Sequence, residues 1–126
     1  MKYNLAHACI RVMDLDKSLE FYNKALSLNE VKRLDYSEYK FTLVYLSDES
    51  NKFEIELTYN YDTEKPYEIG NGFGHFALTV KDMEASHEFH KKMGLETTEL
   101  KGLLGEKPKY YFITDPDGYK IEIIRG

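Results

Sequence analysis

One segment of this chain occurs twice in constant register. Ala6-His7-Ala8-Cys9-Ile10-Arg11-Val12, then Met13-Asp14, corresponds to Gly74-His75-Phe76-Ala77-Leu78-Thr79-Val80, then Lys81-Asp82. At an offset of 68 residues, seven positions between 7 and 24 are identical: His7/His75, Val12/Val80, Asp14/Asp82, Ser18/Ser86, Glu20/Glu88, Phe21/Phe89 and Lys24/Lys92. Each copy opens with a histidine, continues as a strand and passes into a helix. A duplicated module of this kind fixes the architecture before any single element is considered.

In the first copy, residues 5–12 alternate with a period of two. Ala8, Ile10 and Val12 face one way, and His7, Cys9 and Arg11 the other. Asp14 and Asp16 stand where a helix cap belongs, and a helix is expected over 17–26 with Leu19, Tyr22 and Leu26 on its apolar stripe. Strands are expected over 30–36, 39–47 and 53–59. In the last of these Phe53, Ile55, Leu57 and Tyr59 share one face, and Glu54, Glu56, Thr58 and Asn60 the other. The second copy reads as a strand over 74–80, a helix capped by Asp82 and ending near Met93, and strands near 95–100, 108–114 and 119–125. Asp115-Pro116-Asp117-Gly118 forms a tight turn before the last of them. The expectation is an α+β chain of two tandem βαβββ modules making a curved mixed sheet. Residues 1–126 would be one domain, with repeats 1–60 and 72–126 and a linker over 61–71.

The chain has 126 residues, enough for one domain with a shared core. A net charge of −5 without any Lys/Arg-rich run argues against a nucleic-acid partner. No apolar run is long enough to cross a membrane, and no signal-peptide core is present. The single cysteine, Cys9, allows no internal disulfide, which fits a reducing cytoplasm.

The repeat also places chemistry. Glu56 and Glu122 lie in the last strand of each module, 66 residues apart, close to the histidine offset of 68. If first and last strands are neighbours, each module presents one His/Glu pair on one face. His7, Glu56, His75 and Glu122 then form a set suited to a divalent transition metal such as zinc, nickel, cobalt or iron. Four protein ligands in an octahedral site leave room for two waters or a bidentate substrate. The bland alternative is two solvated strand glutamates and two structural histidines. Against it, both glutamates sit between apolar neighbours, Ile55/Leu57 and Ile121/Ile123, where an unpaired carboxylate is costly to bury.

Arg11, four residues after His7, and Asn60, four after Glu56, lie on the same strand faces as those residues and are the substrate-binding candidates; an arginine there could hold a carboxylate through two parallel bonds. Its structural alternative is a surface or interface salt bridge. His87 and His90, among Glu88, Lys91 and Lys92 on the second helix, are expected to be exposed and without a metal role. Cys9 reads as a small residue facing the sheet interior or a site wall, and no neighbouring base marks it as a nucleophile. The eleven tyrosines read as strand packing.

The segments around His7 and Phe21, Ile55-Glu56-Leu57-Thr58-Tyr59-Asn60, Gly74-His75-Phe76-Ala77-Leu78 and Asp115-Pro116-Asp117-Gly118-Tyr119-Lys120-Ile121-Glu122 resemble glyoxalase I (lactoylglutathione lyase) of the vicinal-oxygen-chelate superfamily. The resemblance covers nearly the whole chain. It implies the glyoxalase/bleomycin-resistance/dihydroxybiphenyl-dioxygenase fold and a homodimer with active sites at the subunit interface. His7 and Glu56 would come from one subunit, and His75 and Glu122 from the other. It implies isomerisation of the hemithioacetal of methylglyoxal and glutathione to S-lactoylglutathione. One divalent metal would act as Lewis acid toward an enediolate, with Glu122 as base and Glu56 its pseudo-symmetric counterpart. Arg11 and Asn60 match positions that hold the glutathione part. The short chain resembles the nickel- or cobalt-activated type more than the zinc type. Asn71 stands where some members carry a basic glutathione contact, and Lys101, Lys107 and Lys109 are the remaining candidates for one. The alternatives are a methylmalonyl-CoA epimerase-like enzyme, which usually has glutamine in place of Glu56, and a metal-free drug-binding resistance protein, which needs no His/Glu quartet.

Overall fold

Alternating apolar residues make β1 (His7–Arg11), and Asp14 stops it by capping α1 (Leu15–Leu26), its carboxylate accepting from the Lys17 backbone N–H at 3.0 Å. The helix turns Ser18, Phe21, Tyr22 and Ala25 inward and ends at Ser27 in the left-handed conformation. β2 (Asn29–Tyr36), β3 (Phe41–Ser47) and β4 (Glu54–Asn60) complete the first sheet. Its order is β1-β4-β3-β2, with β1 parallel to β4 and the other pairs antiparallel. The structure is a computed structural model that describes residues 1–126. Ile10, Val12, Val44, Leu46, Ile55 and Leu57 on the sheet and Phe21, Tyr22 and Ala25 on the helix are buried and form the core of this first unit, Met1–Tyr67. Each large apolar side chain removed from water there contributes about 1.5–3 kcal/mol.

The second unit, Glu68–Gly126, repeats the plan in shorter form: β5 (Phe76–Val80), α2 (Met83–Lys92) capped by Asp82, β6 (Tyr110–Thr114) and β7 (Lys120–Arg125). The sheet order is β5-β7-β6, again with the first and last strands parallel. Tyr111, Ile113, Ile121 and Ile123 are buried with Met83 of the helix. Arg125 fastens the end of β7 by donating to the Pro108 carbonyl at 2.9 Å and pairing with Glu84 on α2.

The strand expected over 95–100 does not form. That segment meets β6 only through isolated bridges, Thr97 with Ile113 and Lys101 with Tyr110. Threonine hydroxyls interrupt the ladder: Thr98 Oγ1 accepts from the Phe112 N–H at 2.9 Å, and Thr97 Oγ1 donates to the Leu95 carbonyl at 2.9 Å. Each unit therefore carries its own mixed sheet, four-stranded in the first and three-stranded in the second. No helix is long and apolar enough to cross a membrane.

The turn before β7 is held by Asp115. Its Oδ1 accepts from the Asp117 and Tyr119 backbone N–H groups, each at 2.9 Å, and Gly118 takes φ +96°. An added Cβ at Gly118 meets only the end of the Ile69 side chain, at 3.5 Å, so the cost of Gly118→Ala is conformational. That substitution is expected to lower unfolding free energy by about 1–2 kcal/mol, read as a shift in urea midpoint at unchanged slope. An unchanged midpoint would show that the backbone there does not need the left-handed region.

Candidate functional site

In the first unit, the parallel register sets Cys9 opposite Glu56, and Glu56 opposite Tyr45 on its other side. His7, two residues before Cys9 on the same face, reaches forward so that its Nε2 lies 3.2 Å from Glu56 Oε2. The carboxylate is buried at 8% exposure. It does not stand alone: Thr58 Oγ1 donates to Oε1 at 3.1 Å, and Tyr45 and Cys9 flank it from the two neighbouring strands. Burial is the largest single influence and acts to raise its pKa. The donors Tyr45, Cys9 and Thr58, with His7 nearby, outweigh it and hold the carboxyl below the ordinary glutamate range. The same contact, then burial, pushes the Tyr45 hydroxyl up to about 12. Desolvation, with help from Glu56 and against the hydrogen bond with Thr58, raises the Cys9 thiol above its usual value. The Tyr45 ring also packs edge-on against His7, centroids 5.4 Å apart.

The second unit repeats this geometry. Ala77 and Phe112 flank Glu122 across the two neighbouring strands, and His75 Nε2 lies 3.3 Å from Glu122 Oε1. Phe112 packs edge-on against His75 at 5.1 Å. The two histidines and two glutamates expected as ligands are thus brought together as two separate pairs, one per unit. No group of three or more His, Cys, Asp or Glu side chains that could hold a metal forms within the chain.

The donor chemistry of each pair fits a divalent ion. An imidazole nitrogen and a carboxylate oxygen 3.2–3.3 Å apart are close enough to be neighbouring ligands on one cation, since each stands about 2.0–2.2 Å from the metal. Both sets are partly open, with side-chain exposures of 38% and 40% for the histidines against 11% and 19% for the glutamates. Arg11 is exposed on the His7 face of β1, beside Thr58. Asn60 Nδ2 donates to the Tyr67 hydroxyl at 3.0 Å, which is also 3.1 Å from Thr63 Oγ1. Of the three lysines, Lys109 pairs with Glu106 at 2.9 Å, and all three are exposed, as is Asn71.

Residues 4–123 match the family model of the Glyoxalase/Bleomycin resistance protein/Dioxygenase superfamily. The chain belongs to that superfamily. It is 42% identical over 124 residues to a probable lactoylglutathione lyase of Synechocystis, spanning 96% of this chain and 94% of the relative. It is 40% identical over 124 residues to lactoylglutathione lyase of Neisseria meningitidis, spanning 96% of this chain and 89% of the relative. Among solved structures it is similar to the trypanothione-dependent glyoxalase I of Leishmania major. That match has a TM-score of 0.87 and 32% identity, and covers 98% of this chain and 87% of the other.

One expectation is overturned in this superfamily member. His87 and His90 are not exposed but buried, at 6% and 2%. His87 Nε2 lies 2.8 Å from the Thr98 carbonyl, and His90 Nδ1 lies 2.8 Å from the Tyr111 hydroxyl, which is 2.6 Å from Ser86 Oγ. Their charged neighbours Glu88, Lys91 and Lys92 point outward, while Met83, His87 and His90 form an inward stripe at helical spacing. The repeat carried this signal: at offset 68 they match Leu15, Leu19 and Tyr22, so two histidines occupy apolar positions of the first helix. Phe89, by contrast, is 48% exposed although its equivalent Phe21 is buried. His90→Ala is expected to cost about 2–4 kcal/mol of stability, read by urea unfolding, with metal stoichiometry unchanged. Loss of metal at retained stability would give His90 a ligand role instead.

Proposed function

We propose that the chain is a lactoylglutathione lyase (glyoxalase I). It isomerises the hemithioacetal of methylglyoxal and glutathione to S-lactoylglutathione, which detoxifies methylglyoxal. The observation that carries this reading is the pair of register-equivalent His–Glu contacts, His7–Glu56 and His75–Glu122, in a chain about 40% identical to relatives named for this activity.

His7, Glu56, His75 and Glu122 hold one divalent ion, nickel or cobalt in preference to zinc. Each unit offers one His–Glu pair, half of this set, and the likeness to glyoxalase I supports a homodimer that completes it. In it, His7 and Glu56 of one subunit would meet His75 and Glu122 of its partner. When bound, the ion supplies Lewis-acid stabilisation of the negative charge that develops on the substrate's two adjacent oxygens. Glu122 takes the proton from the carbon bearing sulfur and hydroxyl and returns it to the neighbouring carbonyl carbon. The hydroxyl proton passes to the other oxygen, so the product is an isomer of the substrate. Arg11 presents a guanidinium to a carboxylate of the thiol, and Asn60, its amide nitrogen engaged by Tyr67, leaves its carbonyl oxygen for a peptide N–H. The free thiol of Cys9 is in keeping with a reducing cytoplasm.

Chelator-stripped protein is expected to turn over the methylglyoxal–glutathione hemithioacetal on adding nickel or cobalt, and weakly with zinc. Tight metal binding without turnover by any of the three would move the substrate to another thiol or a CoA ester. Glu122→Gln is expected to lower kcat by roughly 10²–10⁴-fold with little change in KM. Near-normal kcat would remove Glu122 as the base. Mixing inactive His7→Ala and His75→Ala subunits is expected to restore part of the activity in verified heterodimers, and no recovery there would sink the shared site.

A further inference from the structure

The two His–Glu pairs match in register and spacing, but the walls around their carboxylates do not. Around Glu56 stand the donor side chains of Cys9 on β1 and Tyr45 on β3, its direct cross-strand neighbours, and of Thr58 two residues on along β4, whose hydroxyl donates to the carboxylate at 3.1 Å. The equivalent places around Glu122 hold Ala77 on β5, Phe112 on β6 and Ile124 on β7. Every donor of the first unit is replaced by a side chain that has none. The Cys9 sulfur lies 3.2 Å from Thr58 Oγ1, so the thiol and the hydroxyl support one another beside the carboxylate. The one side-chain polar partner that the structure gives Glu122 is His75.

We propose that Tyr45 and Thr58, with Cys9, are positioning residues that hold Glu56 as the stationary carboxylate, while the apolar wall of Ala77, Phe112 and Ile124 leaves Glu122 free to swing. This rests on the lyase reading above. A base that carries a proton between two adjacent carbons must move. To move, Glu56 would have to break hydrogen bonds to an ionised acceptor, which are about twice as strong as neutral ones. Glu122 breaks none. The donors thereby make a pseudo-symmetric ligand set unequal.

The experiment exchanges the two walls. Phe112→Tyr combined with Ile124→Thr offers Glu122 the hydroxyls that Glu56 has. Tyr45→Phe, alone and with Thr58→Val, takes them from Glu56. Metal affinity is read by chelator competition with nickel, and kcat and KM on the hemithioacetal at saturating nickel, with Glu122→Gln measured in parallel. The Phe112/Ile124 variant is expected to lose about tenfold or more in kcat at unchanged KM while binding nickel as tightly as, or more tightly than, the parent. Tyr45→Phe is expected to weaken nickel binding by about tenfold. It is a conservative change, because a phenylalanine already fills the equivalent place in the second unit, so it keeps the proposal testable if the other variant fails to fold. In the Glu122→Gln background, removing both Tyr45 and Thr58 hydroxyls is expected to raise residual turnover about tenfold, as the released Glu56 takes over the proton. Wild-type kcat in the Phe112/Ile124 variant, kcat and nickel affinity falling together as in a damaged site, or unchanged nickel affinity in Tyr45→Phe would each overturn the proposal. An active Glu122→Gln protein would instead overturn the base assignment, and the two failures are read from different variants.

Discussion

In both units the strand that begins at or just after a histidine lies parallel to the unit's last strand. Parallel neighbours cannot be joined by a hairpin, so the chain must leave, build a helix and further sheet, and return. This crossover is what lets residues 49 and 47 positions apart, His7 with Glu56 and His75 with Glu122, meet within 3.2–3.3 Å. The register is the same twice: Cys9 faces Glu56 and Ala77 faces Glu122. It is also enforced by the core. A slip of one residue would turn Glu56 into the apolar face and Leu57, fully buried, out of it. Packing of Ile55 and Leu57, or Ile121 and Ile123, therefore fixes where the carboxylates point.

That arrangement has a cost. Glu56 lies in a strand buried on both faces, where an ionised carboxylate without partners would destabilise the fold by several kcal/mol. The polar neighbours offset this. Burial acts to raise its pKa, and Tyr45, Cys9 and Thr58 beside it, with His7, together outweigh that effect. Glu122 sits more openly, its side chain 19% exposed against 11% for Glu56, and has less desolvation to offset. Exposure and hydrogen bonding thus change together between the halves.

Much of this was legible in the residues. The offset of 68 located both histidines and both helix caps, Asp14 and Asp82, because capping and strand alternation act locally. The Asp115–Gly118 turn was legible for the same reason. What failed were features settled by tertiary partners. His87 and His90 look solvent-facing beside Glu88, Lys91 and Lys92, yet the Thr98 carbonyl and Tyr111 hydroxyl give their ring nitrogens buried partners. The segment 95–100 has strand composition, but its threonine hydroxyls take bonds that a ladder would need. Tyr45 was one tyrosine among eleven read as packing. It does pack, against His7, and the hydroxyl at its far end does a second thing that alternation cannot reveal.

Tyr45 and Phe112 occupy equivalent places, each opposite its unit's glutamate. Both rings stand edge-on to a histidine at nearly the same distance, 5.4 and 5.1 Å, so ring packing at the two places is equivalent. They differ by one oxygen, and so only in the first unit does the ring opposite the glutamate carry a donor. In the proposed site, replacing any of the four ligands would remove a bond to the ion, so the halves of a duplicated module can diverge least at the ligands themselves. One layer out, a hydroxyl can be gained or lost while the ring that holds the histidine stays in place. Cys9/Ala77, Tyr45/Phe112 and Thr58/Ile124 all differ in this way and in the same direction. Three donors on one side and none on the other are what a site needs if one carboxylate is to stay and the other is to move.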